Sequence, residues 1–91
     1  MEDPDLAVAL SYVAGSDAAP RVVAKGRGAL AAQIVAIARD HDVEVRRDQD
    51  LAALLGTLEV DSPIPLVAFA AVAEILAQLY RANRRLQDAP R

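Results

Sequence analysis

The sequence contains no cysteine and no tryptophan, and its aromatic side chains are two tyrosines and one phenylalanine among 91 residues. Without cysteine the chain can form no disulfide, no thiolate zinc site and no thiol nucleophile, and it suits a reducing cytoplasm. The single histidine, His41, has no second histidine or cysteine with which to share a transition metal. We therefore predict a protein that holds no metal and no cofactor.

Long hydrophobic runs and an excess of positive charge are also missing. The longest uncharged stretch covers residues 62–73 and includes two prolines, so it is shorter than the roughly 18–20 residues of a membrane-spanning helix. The acidic start of the chain is unlike the basic start of a signal peptide. A net charge of −3 and a pI near 4.9 argue against a nucleic-acid partner. These absences predict a cytoplasmic protein without direct membrane insertion.

Apolar patterning is what the chain does have. Hydrophobic residues make up 54%, which is too apolar for a disordered chain and enough for one small core. Asp48 or Asp50 can cap a second helix. The periodicity predicts, by residue number, strands at 6–13, 21–25 and 43–46, helices at 29–42, about 50–56 and 66–85, and a minimal extended segment at Glu59 and Val60. We predict one α/β (α+β) domain with a central sheet of three to four strands and three to four helices.

The predicted domain covers residues 6–85, between an acidic lead-in at residues 1–5 and a frayed tail at residues 86–91. Two of its helices have an apolar stripe at helical spacing, and we expect both stripes to face the core. The stripe of the first helix is Leu30, Ile34, Ile37, Ala38 and His41, and that of the last helix is Leu66, Phe69, Val72, Ala73, Leu76, Leu79 and Tyr80. His41 is expected at the end of its helix, where the dipole favours a partly cationic ring.

No group of residues indicates catalysis, so we predict that the protein is not an enzyme. The turn from Lys25 to Gly28 could present backbone amides to a phosphate or nucleotide, but it lacks the complete phosphate-loop motif, and its glycines suit a tight turn. The carboxylates of Glu2, Asp3 and Asp5 lack the spacing of a calcium loop, and we predict that they form a solvated lead-in.

Three segments, AVALSY, APRVVAKG and IPLVAFAAVAEILAQLYR, occur in this order within residues 6–83. Together they resemble the C-terminal cytoplasmic domain of the FlhB/YscU/SpaS family of type III secretion export-switch proteins. Members of that family carry a self-cleaving Asn-Pro-Thr-His motif directly before the first segment. Here those positions are Glu2, Asp3, Pro4 and Asp5, and the only asparagine is Asn83. The chain is similar to stand-alone FlhB-like paralogues, and we expect no self-cleavage.

The resemblance implies a non-enzymatic cytoplasmic module for protein export in flagellar biosynthesis or in an injectisome. Such a module contacts export substrates and export-apparatus proteins, is recruited to the membrane export gate, and can substitute for the cleaved C-terminal fragment of FlhB in substrate-specificity switching. The family's hydrophobic patch, which docks a short apolar substrate motif, corresponds here to Ala19, Pro20, Ala73 and Leu76. We expect Ala19 and Pro20 to expose rigid apolar surface, whereas Ala73 and Leu76 also lie on the predicted core stripe.

A second hypothesis is structural. The sequence lacks the strand that leads into the cleavage motif in the full-length proteins. One edge of the sheet is then expected to be open, and an open edge recruits another strand. The chain would form a homodimer or complete the sheet of a partner protein, and the sequence leaves both oligomeric states open.

Overall fold

The structure, a computed structural model, describes residues 5–13 and 15–88, with their side chains except those of residues 79, 80 and 82–88. Its elements are the strands β1 (Leu6–Ser11) and β2 (Arg21–Arg27) and the helices α1 (Ala29–Asp40), α2 (Gln49–Gly56) and α3 (Leu66–Asp88). The mixed α/β class and the number of helices agree with the prediction. The sheet has two strands in the described residues, so the prediction of three to four strands is wrong.

The two strands pair antiparallel and lie between two layers of helices. Leu6 lies opposite Arg27 and Ser11 opposite Arg21, with an irregularity between Ala9 and Leu10. α1 packs against both strands, whereas α2 packs against β1 and α3. Because α1 makes no comparable contact with α2 or α3 in the described residues, the strands separate it from them. Because helices cover both faces of the strands, β1 carries apolar residues at successive positions and not only at alternate ones.

The predicted third strand at residues 43–46 does not form. α1 ends in a turn where Asp42 has a φ of 58°, and the N–H of Val43 donates to the carbonyl of Ala38 at 2.8 Å. This pattern is a Schellman-type helix end. The chain then runs without regular structure to Asp48, whose carboxylate accepts from the N–H of Leu51 at 3.0 Å and caps α2. Alternating valines predict a strand, but a strand needs a backbone partner, and no described segment provides one here.

A short segment before α3 pairs with the beginning of β2. The N–H of Val22 donates to the carbonyl of Ser62 at 3.0 Å, and the N–H of Ile64 donates to the carbonyl of Pro20 at 2.9 Å. The extended segment predicted slightly earlier, at Glu59 and Val60, instead leads into a turn. One edge of β2 is thus covered at its start, while the outer edge of β1 has no strand partner in the part of the chain that the structure describes.

The passage from β2 to α1 contains two glycines, Gly26 near the end of β2 and Gly28 in the turn after it. Gly28 has φ 58° and ψ −127°, a conformation that side chains disfavour strongly. A Cβ on Gly26 would lie 2.4 Å from the Cγ of Leu30, so glycine allows α1 to begin close to β2. Gly28 is therefore a turn residue, as predicted, whereas Gly26 lies within β2 and makes room for Leu30.

The core cluster consists of five buried residues, namely Val22, Leu55, Ile64, Ala68 and Val72. It joins β2, α2 and α3, and Val8, Leu10, Leu51, Leu58, Phe69 and Leu76 pack around it. No hydrophilic side chain is buried in the described residues. Burial of apolar surface therefore accounts for the cohesion of this side of the domain.

The buried face differs from the prediction in α1 and at the start of α3. Further along α3, Val72 is buried and Phe69 and Leu76 pack against the core cluster, as predicted. In α3, Leu66 is 86% exposed while Ala68 and Val72 are buried. Ile64, held by its hydrogen bond to Pro20, already fills the core at the helix entrance, and Leu66 lies about 200° around the helix from Ala68. The side chains of Leu79 and Tyr80 lie outside the described residues.

In α1, Leu30 and Ile37 are 51% and 52% exposed, and the fully buried residue is Ala31. The small side chain of Ala31 lets α1 approach the strands closely. The larger side chains of Leu30 and Ile37 then lie at the side of the contact and stay exposed. Within the described part of the chain, no helix has the length and the apolar character that crossing a membrane requires.

Candidate functional site

The four positions of the predicted apolar patch (Ala19, Pro20, Ala73 and Leu76) belong to two parts of the domain. Ala19 and Pro20 directly precede β2. Ala19 is half-buried, but the side chain of Pro20 is almost completely buried. The expectation that Pro20 exposes apolar surface is therefore wrong, because its carbonyl accepts from the N–H of Ile64 at 2.9 Å and holds this residue against the core segment.

Ala73 and Leu76 lie on α3 and are both half-buried. Leu76 packs against the core cluster, whereas Ala73 follows the buried residue Val72 at the margin of the core. One edge of the predicted core stripe is thus accessible, and the small side chain of Ala73 leaves room beside Leu76. Half-buried apolar side chains at the rim of a core are typical of shallow peptide grooves.

Pro20 and Leu76 are each linked to the core cluster. Ile64 connects it to Pro20 through the backbone, and Val72 connects it to the face of α3 that carries Leu76. Ala19, Ala73 and Leu76 are thus partly accessible, whereas Pro20 is buried. No charged side chain is among these four residues, so recognition at the patch would be apolar.

The segment from Lys25 to Gly28, predicted as a turn, is strand up to Arg27, and its polar groups bond to other parts of the fold. The ammonium group of Lys25 donates to the carbonyls of Gly56 at 3.2 Å and Leu58 at 2.6 Å. These carbonyls lie at the end of α2, where a cation is favoured by the helix dipole and by unpaired backbone acceptors. The N–H of Gly28 donates to the carbonyl of Asp5 at 3.1 Å. The contacts of Lys25 and Gly28 argue against a phosphate site at this turn.

His41 lies at the C-terminal end of α1, as predicted. Its Nδ1 is 2.9 Å from the carbonyl oxygen of Ile37, and its ring is exposed. Within the described residues, no group of three or more histidine or acidic side chains is arranged to hold a metal ion. Glu2, Asp3 and Pro4, at the positions of the family's cleavage motif, lie outside the described residues.

A shallow cleft of about 180 Å³ lies on a different flank of α3, and the sequence patterns did not predict it. Its walls are Arg46, Arg47 and Asp48 from the irregular segment before α2, and Ala71, Glu74, Ile75 and Gln78 from α3. The guanidinium of Arg46 donates to the Oε1 of Gln78 at 2.7 Å and joins the two walls. The two adjacent arginines were the available signal in the sequence. They form part of a cleft only because α3 packs beside them, which the sequence does not show.

Sequence comparison places the chain among export proteins. The sequence model of the FlhB HrpN YscU SpaS family matches residues 3–79. The uncharacterized protein YlqH of Bacillus subtilis is 37% identical over 82 residues, which cover 90% of this chain and 88% of YlqH. The flagellar biosynthetic protein FlhB of Aquifex aeolicus is 45% identical over 73 residues, 79% of this chain but 21% of that protein. The chain thus spans about a fifth of the FlhB relatives.

Solved structures agree with this placement. The cytoplasmic domain of FlhB from Shewanella putrefaciens has a TM-score of 0.80 and 29% identity, covering 98% of this chain and 79% of that one. The C-terminal domain of PscU has a TM-score of 0.75 and 35% identity, covering 81% of this chain and 95% of that one. From the fold, the matched residues and these relatives, we conclude that the chain belongs to the FlhB HrpN YscU SpaS family, as a counterpart of its C-terminal cytoplasmic domain.

Proposed function

We propose that this protein is a non-enzymatic cytoplasmic module that binds flagellar or type III export substrates, or components of the export apparatus, through the apolar patch. Family membership and the half-buried rim of Ala19, Ala73 and Leu76 support the proposal. The sequence also lacks the asparagine on which the family's self-cleavage depends, since its only asparagine is Asn83. The module would act uncut and substitute for the cleaved C-terminal fragment of FlhB in substrate-specificity switching.

The partial accessibility of Ala73 and Leu76 at the rim of the core on α3 is the observation that carries this proposal. A short apolar peptide can cover Ala73 and the exposed edge of Leu76 without opening the core, because both side chains are already half-exposed. Pro20 contributes rigidity and not contact area. Binding of this kind buries a small apolar surface, so we expect an affinity in the micromolar range.

Ala73→Glu tests the proposal because it places a charge on the rim without removing core volume. We expect the affinity for a fluorescein-labelled peptide that carries the short apolar motif of a hook-type export substrate to fall by at least about tenfold, since the new carboxylate would have to be desolvated. The measurement is fluorescence anisotropy, with circular dichroism of the variant recorded in parallel.

Ala71→Glu is the matched control, since Ala71 is exposed and lies about 200° around α3 from Ala73. It adds the same charge to the same helix and should leave the affinity for this peptide within about twofold of the wild type. Unchanged binding by a folded Ala73→Glu variant, or equal losses in both variants, would contradict the assignment of the patch.

A second candidate function is structural, and the open outer edge of β1 is the observation that favours it. β1 pairs with β2 on one side and has no strand partner on the other within the described residues. A second copy, or the strand that precedes the cleavage motif in a full-length relative, could extend the sheet there. Light scattering of the protein, alone and mixed with a peptide of that leading strand, tests this candidate. A monomeric mass in both samples would argue against it.

A further inference from the structure

The irregular segment that leads into α2 has backbone groups without a hydrogen-bond partner among the described residues. The N–H of Val43 is bonded to Ala38 and the carbonyl of Asp48 to the N–H of Ala52. Between them, the backbone groups of residues 44–47 form no hydrogen bond with any other described residue. Glu44, Arg46 and Arg47 are exposed, so a ligand can reach these groups.

The cleft beside this segment combines an apolar wall with charged groups at its mouth. Ala71 and Ile75 form the apolar part on α3. The carboxylate of Asp48 keeps its charge, but it accepts from the N–H of Leu51 at the N-terminus of α2, where the helix dipole offsets this charge. One N–H of Arg46 is bound by Gln78. Among the side chains that the structure describes, none accepts a hydrogen bond from the guanidinium of Arg47.

The charges that remain for a ligand favour a carboxylate. Within the described residues, Arg47 retains all five of its donors and Arg46 retains several. The carboxylate of Glu74 also lines the cleft, and no hydrogen bond from a described residue engages it. An arginine fork binds a carboxylate with two parallel hydrogen bonds. A nucleic acid also carries acidic groups, but the net charge of −3 disfavours a polyanion over a short peptide.

We propose that the Arg46–Arg47 cleft is a second peptide-binding site, which takes an acidic segment of a partner protein. An apolar side chain of the segment lies against Ala71 and Ile75, its carboxylate binds Arg47, and its backbone bonds to the free groups of residues 44–47. The site is distinct from the apolar patch, because Ala71 and Ala73 lie about 200° apart on α3. It can therefore be occupied together with the patch, and its test does not depend on the proposed function.

The test uses the whole chain and two fluorescein-labelled probe peptides, Glu-Leu-Asp-Leu-Glu and Lys-Leu-Lys-Leu-Lys. We expect the acidic peptide to bind and the basic peptide to bind at least about tenfold more weakly. Arg47→Glu should lower the affinity for the acidic peptide about tenfold, since the charge at this position then repels the carboxylates of the peptide. Glu74→Gln should strengthen its binding by about twofold to threefold, because it removes the like charge from the cleft.

Arg39→Glu, at an exposed arginine in the last turn of α1, is the control for net charge and should leave binding unchanged. Ala71→Trp fills the cleft from an exposed position and should abolish binding. Equal binding of both peptides, equal losses in Arg39→Glu and Arg47→Glu, or tighter binding of a single-stranded DNA oligonucleotide would overturn the proposal.

Discussion

Val22→Asp is expected to leave the domain unfolded under native conditions. Val22 is completely buried in the core cluster, and its N–H and carbonyl are both engaged by the segment before α3. A carboxylate at this position would be buried among the apolar side chains of the core cluster, which costs about 4 kcal/mol or more. A domain of this size has a free energy of unfolding of about 5 kcal/mol or a little more. Circular dichroism and urea denaturation provide the measurement.

The neighbouring residue of the same strand is the matched control. Val23 is 44% exposed, so Val23→Asp should change the free energy of unfolding by no more than about 1 kcal/mol. A large loss of stability in both variants would mean that the low strand propensity of aspartate, and not burial in the core cluster, causes the loss. A stable Val22→Asp protein would contradict the placement of the core.

Lys25→Met should lower the free energy of unfolding by about 2 kcal/mol. The substitution keeps the apolar stem but removes the ammonium group that binds the carbonyls of Gly56 and Leu58. These acceptors are partly buried, and losing a charged donor leaves them poorly solvated. Arg27→Met, at an exposed position two residues later in β2, should cost less than about 0.5 kcal/mol.

The same pair of variants decides between a structural and a ligand-binding lysine. If Lys25 only supports the fold, the wild-type melting temperature should not rise with ATP, GTP or inorganic phosphate. A rise that is lost in Lys25→Met would restore the phosphate hypothesis, because a ligand that binds the native state stabilises it. Equal losses of stability in Lys25→Met and Arg27→Met would contradict the bonds to α2.

The parts of the fold that could be predicted are those that depend on local patterns. β1, β2 and the three helices follow from alternation, helical periodicity and caps, and Asp48 was one of two cap residues predicted. The third strand at residues 43–46 failed because pairing is a property of two segments, and its pattern does not reveal whether a partner is present. The placement of Leu66 at the start of α3 was predicted wrongly for a related reason, since Ile64 is fixed in the core by a hydrogen bond to Pro20 from a distant part of the chain.

In the candidate sites, too, the features that depend on contacts between distant parts of the chain could not be predicted. The patch positions came from the family resemblance, and the structure shows that Pro20 is buried and not exposed as predicted. The two bonds of Lys25 join residues more than 30 positions apart, so no spacing rule identifies them. The cleft with Arg46 and Arg47 depends likewise on the packing of α3. Side-chain chemistry was visible in the sequence, but accessibility was not.

A peptide titration followed by two-dimensional NMR of the ¹⁵N-labelled protein tests the central claim most directly. The ligand is the short apolar motif of a hook-type export substrate, and each backbone amide reports whether it lies near the bound peptide. We predict saturable shifts concentrated at the amides of Ala19, Ala73 and Leu76, with residues 44–48 unaffected. Absence of shifts at saturating peptide, or shifts confined to β1 or to the arginine cleft, would contradict the account.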